Sequence, residues 1–224
     1  PLDWRMPETQ AIYWAWIGLS KSKNEELIKL RRVIYQSMQL AFQRGRLVES
    51  RTGNIAFAPN LDIIPHVSKA YEDMMVQDPE QAKQIRTGHK NFLRDAVYFL
   101  YCQNRVAEAN RWYAYLGEKY PTDALWDKPG ATPLNTTMEN YALDRLEEDV
   151  GDTSVDRTSA ILDGLYRNYY ESLAMGFDER AENFRRMTVK IHERFTRKIA
   201  GSASETRVAL ASLDTIRREV LGMM

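Results

Sequence analysis

Three histidines, one cysteine and a run of carboxylates are the residues of this 224-residue chain that could do chemistry, and their spacing argues against it. His66, His89 and His192 stand far apart. A helical metal site needs ligands one turn apart or ligands converging from separate helices, and His192-Glu193 has no second histidine within a turn. Glu147-Glu148-Asp149, with Asp144, Asp152 and Asp156 around them, are neighbouring acids that splay to different helix faces, so they make no general acid–base pair by themselves. No Glu-x-x-His pair of the di-iron kind occurs. Cys102, beside Phe99, Leu100 and Tyr101, reads as a small buried hydrophobe. The expectation is no metal, no cofactor and no catalytic residue. An enzymatic site, or a helical accessory domain of an enzyme, assembled from residues distant in sequence stays as the alternative.

Charge offers one more chemistry. Arg180, Arg185, Arg186, Lys190, Arg194, Arg197 and Lys198 crowd one predicted helix against Glu179, Glu182 and Glu193. A second basic run holds Lys21, Lys23, Lys29, Arg31 and Arg32. Arg185, Arg186, Lys190, Arg194 and Arg197 could hold an anion such as a nucleic-acid phosphate. There is no Gly-rich phosphate loop and no helix-turn-helix context, so the favoured expectation is a salt-bridge seam against the acidic 139–163 stretch. Asn135-Thr136-Thr137 fits a glycosylation acceptor, with meaning only in a secreted eukaryotic chain.

Composition bounds the class. Hydrophobic residues make up 44% and charged residues 28%, with 31 basic against 31 acidic side chains, which is an ordinary globular profile. Zero formal charge leaves only local patches to attract nucleic acid or anionic lipid. One cysteine excludes an intramolecular disulfide framework. No stretch approaches the roughly 18 uninterrupted apolar residues of a spanning helix, and no signal-peptide pattern opens the chain. Its start at Pro1 rather than Met points to a processed or excised product, with any membrane tether expected ahead of Pro1. Both cytoplasm and bacterial envelope remain open as locations.

The positioning elements read as helices. Pro7 opens the first, with Ile12, Trp16 and Ile17 at near-helical spacing. Tyr13 and Trp14 make it apolar on more than one side, so it should be buried or covered by a partner. Ser22 and Glu25 stand in capping-box spacing before a helix carrying Leu27, Leu30, Ile34, Met38 and Phe42, ended by Gly45. Two short apolar runs around Arg51-Thr52-Gly53-Asn54 predict a small β-hairpin near 46–58. Helix returns over 62–77. Asp78-Pro79-Glu80-Gln81 predicts a capped start for a helix running toward Gln103, with a break near Gly88. A further helix spans Val106 to Tyr120. Pro121, Pro129-Gly130 and Pro133 mark a loop and a boundary between regions 1–128 and 134–224. Thr136 with Glu139, Asp152 to Ser154, Gly176, and Ser202 with Glu205 punctuate four more helices. The fold class expected is all-α, built from antiparallel hairpins, with a small helical bundle at the C-terminal end.

The stretch Lys90–Pro121 resembles a tetratricopeptide repeat. Ala96-Val97 lies at the small-residue crossing of the first helix, with Leu93 and Leu100 as its apolar neighbours. Ala109 matches the small residue of the second helix, Tyr113 the aromatic behind it, and Pro121 the closing proline. Leu116 stands where that family usually has alanine, and the glycine beside the first crossing is absent. The resemblance implies a right-handed α–α hairpin whose first-helix face binds an extended peptide or partner helix. That face would show Asn91, Arg94, Tyr98 and Tyr101. The expected function is a non-enzymatic interaction or scaffolding domain with a protein or peptide partner, within a larger envelope protein.

Overall fold

The computed structural model describes residues 2–23, 25–49, 55–125, 130–150, 155–200 and 210–224. The described residues hold nine α-helices, two short 3-10 helices and one two-stranded sheet, an all-α fold with a small hairpin. The chain divides into two compact units, Pro1–Met138 and Glu139–Met224. The proline-rich loop belongs to the first unit, where Leu125 is buried and the Tyr113 hydroxyl donates to the Thr136 carbonyl.

In the first unit α1 (Pro7–Leu19) and α2 (Glu25–Arg44) form an antiparallel hairpin. Gly18 sits against Leu30 at one end, and Arg44 reaches Glu8 at the other. The side chain of Glu25, and with it the expected capping box, lies outside the described residues. Gly45 follows α2, where a Cβ would lie 2.0 Å from the Ala41 carbonyl oxygen, so only glycine lets the chain leave the helix here. Strands β1 (Arg46–Glu49) and β2 (Ile55–Ala58) pair antiparallel, Leu47 opposite Phe57. Their turn at 51–54 is outside the described residues. The hairpin leans on the helices through the Asn60 amide, which donates to the Phe42 carbonyl at 2.9 Å.

Three helices build the rest of this core: α3 (Ile64–Gln77), α4 (Ala82–Cys102) and α5 (Val106–Lys119). Phe42 packs edge-to-face on Phe92 and Phe99, the geometry that aromatic quadrupoles favour. Leu93, Ala96 and Leu100 on α4 and Ala109 and Leu116 on α5 are buried. Asn104 makes their tight turn, in the left-handed region at φ 59° that asparagine tolerates. Two sequence expectations are corrected. The helix does not break at Gly88; the missing side chain lets the Tyr71 ring lie against α4, 3.2 Å from where a Cβ would stand. Asp78 makes no side-chain cap, because its Oδ1 accepts from Arg31 at 2.8 Å instead.

The second unit holds α6 (Met138–Val150), α7 (Val155–Ala174), α8 (Asp178–Ala200) and α9 (Leu213–Met223). Gly176 at φ 76° turns α7 into α8. Leu162, Leu165, Phe184, Ile191, Ile216 and Val220 are buried here. The expected caps at 152–154 and 202–205 fall outside the described residues. Leu210 is not helical, and α9 starts at Leu213, where the Ser212 hydroxyl accepts from the Thr215 amide. Serine just before an apolar stripe is the ordinary capping chemistry. Thr136 lies ahead of α6 and donates its hydroxyl to Asn135 rather than opening the helix.

Candidate functional site

The face carried by the repeat resemblance is only partly at the surface. Asn91 is exposed, while Arg94 and Tyr98 are half-buried one turn apart. Arg94 donates to the Asn91 side-chain oxygen at 3.4 Å. Tyr101 is 2% exposed and belongs to the core, because the last turn of α4 is covered at this position. Three of the four residues therefore share a stripe that solvent reaches, and the fourth does not.

On α8 most of the candidate anion-binding cations have carboxylate partners. Arg185 and Arg186 pair with Glu182 on the same helix. Lys190 pairs with Glu139, and Arg194 pairs with both Asp144 and Glu147 on α6. Arg197 is exposed. The seam ties α6 to α8, and ion pairs engage four of the five cations that could hold a phosphate. Arg194→Met is expected to destabilise the second unit by about 1–2 kcal/mol, since its carboxylate partners are mostly buried. Faster amide exchange in α6 and α8 would measure it.

One polar constellation was invisible in sequence. Ser68 on α3, His89 on α4 and Tyr120 after α5 form a buried chain: Ser68 Oγ lies 2.9 Å from His89 Nε2, and the Tyr120 hydroxyl 2.8 Å from Nδ1. Tyr71 stacks on the imidazole at 5.5 Å. Nearer the surface, Glu72 accepts from Tyr115 and Lys119. Burial works against the Glu72 charge, but those two donors hold its carboxyl below the usual range. The bond to Glu72 lifts Lys119 to about 12. A serine touching a histidine has the outline of a nucleophile and base. Here Ser68 and His89 are buried, and burial pushes His89 down to about 4, so the imidazole is a weak base that substrate does not reach. The chain is a lock between three helices. His89 lies 21 residues from Ser68 and 31 from Tyr120, and no local signal joins them.

The surface feature that stands out is α1. Trp4 is 59%, Tyr13 41%, Trp14 66% and Trp16 64% exposed, with Trp4, Tyr13 and Trp14 packed edge-to-face in a row. Glu8 and Gly18 meet α2 and Ala15 on the same side is buried; at about 3.6 residues per turn, Tyr13, Trp14 and Ile17 fall on the opposite half. Among the described residues, ten of the eighteen large apolar side chains left exposed lie between Trp4 and Phe57, so the exposure is concentrated and not scattered. Held on a packed hairpin, these rings are rigid contact area available at little entropic cost.

Among the described residues no group of acidic, histidine or cysteine side chains could hold a metal ion, and no helix is long and apolar enough to cross a membrane. No family model, curated protein or solved structure matches the chain, so its function is read from this geometry.

Proposed function

We propose that the chain is a non-enzymatic interaction domain and that the aromatic ridge of α1 is its contact surface. The carrying observation is the exposure of Tyr13, Trp14 and Trp16 on α1, and of Trp4 just ahead of it, on a helix that packs on α2 through Glu8 and Gly18. A helix that is apolar all round is normally buried on all sides. Leaving three tryptophans in water costs hydrophobic free energy that a second surface would recover on contact. The resemblance of 90–121 to a tetratricopeptide repeat supports the same functional class.

The test is the variant Trp14→Ala/Trp16→Ala in the full chain. Both side chains are exposed, so stability should change by less than about 0.5 kcal/mol. In an extract of the native source, the wild-type chain should migrate in gel filtration well above its monomer size and the variant at monomer size. Equal migration of the two would contradict the reading.

A further inference from the structure

The ridge has two properties that specify its occupant. First, it is wide. Trp14 and Trp16, two residues apart, point about 160° apart around the helix axis, with Tyr13 and Ile17 between them. A protein groove would have to wrap half the helix to cover both indoles. A bilayer interface has no fixed shape to match, and it accepts indole and phenol rings at headgroup level, where the ring is covered and the N–H or O–H stays wet. Thirteen residues span about 20 Å, well short of the hydrocarbon thickness, and the inner face is held on α2. The helix can lie in the interface but not cross it. Second, the end of the hairpin nearest Trp16 is basic. Lys21 and Lys23 follow α1, and Lys29 and Arg32 lie in the first half of α2; all four are exposed, and among the described residues none has a carboxylate partner. The other charges of the hairpin are engaged: Arg5 with Asp3, Arg44 with Glu8 and Arg31 with Asp78. Glu25 and exposed Glu26 are the acidic residues of this stretch, two against the four cations. Rings flanked by unpaired cations complement an anionic lipid surface.

We infer that α1 docks flat on an anionic membrane interface, with Trp14 and Trp16 at its two flanks and Lys21, Lys23, Lys29 and Arg32 over the headgroups. This rests on α1 being the contact surface and names what it contacts. The experiment is sedimentation of the full chain with phosphatidylcholine vesicles, with and without phosphatidylglycerol, read also by tryptophan emission. The expected result is binding with a blue shift on the anionic vesicles, much weaker binding on the neutral ones, and weakening as salt rises. Trp14→Ala/Trp16→Ala and Lys21→Glu/Lys23→Glu should each lower the partition coefficient about tenfold or more. Val76→Ser, an exposed change on α3, should leave it unchanged. No binding to anionic vesicles, or binding indifferent to both α1 variants, overturns the inference. If vesicles fail while the tryptophan variant still loses its assembly in extracts, the occupant is a protein. The lipid is then excluded and the broader reading survives.

Discussion

Replacing Arg44 with alanine is expected to destabilise the first unit by about 3 kcal/mol, more than any surface ion pair would suggest. Glu8 is 4% exposed, and its Oε1 accepts from both Arg44 Nε at 2.9 Å and Nη2 at 2.6 Å. Its other oxygen is buried with no hydrogen-bond partner. The carboxylate therefore depends on one guanidinium, and removing it leaves a buried charge uncompensated. Exposed pairs such as Lys69–Asp73 lose little on truncation, because water replaces the partner. The double change Glu8→Leu/Arg44→Met should recover most of the loss, since burying the Glu8 carboxylate has its own desolvation cost. All five tryptophans lie in the first unit, so urea unfolding followed by their emission reads that unit specifically. A loss below about 1 kcal/mol for Arg44→Ala would show that Glu8 finds another partner.

The second large effect is acid lability centred on His89. Burial holds its imidazole at about 4 against an ordinary 6.5, with Glu72 opposing the shift and Lys119 aiding it. The folded value is depressed, so the unfolded chain binds the extra proton between pH 6.5 and 4. Stability is then full above the unfolded value, falls as pH drops through this window, and levels off below it, by about 3 kcal/mol in total. Glu72 acts in the same direction at lower pH, because its carboxyl is also held below its ordinary value. A protonated His89 has two N–H donors and no acceptor, so whichever of the Ser68 and Tyr120 hydroxyls donates to the neutral ring must turn and accept instead. His89→Gln should be less stable at neutral pH but nearly flat across the same window. A wild-type urea midpoint unchanged between pH 7 and 4.5 would refute the assignment.

Local chemistry made the helices legible, and long-range pairing did not. Pro7 and Pro79 open helical segments where fixed φ and a missing N–H favour it, and Gly45 ends α2 because no Cβ fits. The apolar runs around 51–54 announced the hairpin. Asp78 looked like a cap because its neighbours are a proline and a glutamine; its real partner, Arg31, is 47 residues away. The seam from α8 to α6 could be anticipated because opposite charges stood in blocks. The Ser68–His89–Tyr120 lock could not, since each member is unremarkable in its own stretch. The aromatic ridge was half visible. The pattern of α1 said that it is apolar all round, but periodicity cannot tell which rings a neighbouring helix covers, and α2 covers only one side.

Site-specific photo-crosslinking in cells of the native source tests the claim about α1 most directly, with the crosslinker placed at position 14, at position 16, or at the exposed control position Val76. The account predicts strong adducts from positions 14 and 16, to lipid if the membrane inference holds, and background from position 76. Equal background from all three would contradict it, and the exposed tryptophans would then not be a contact surface.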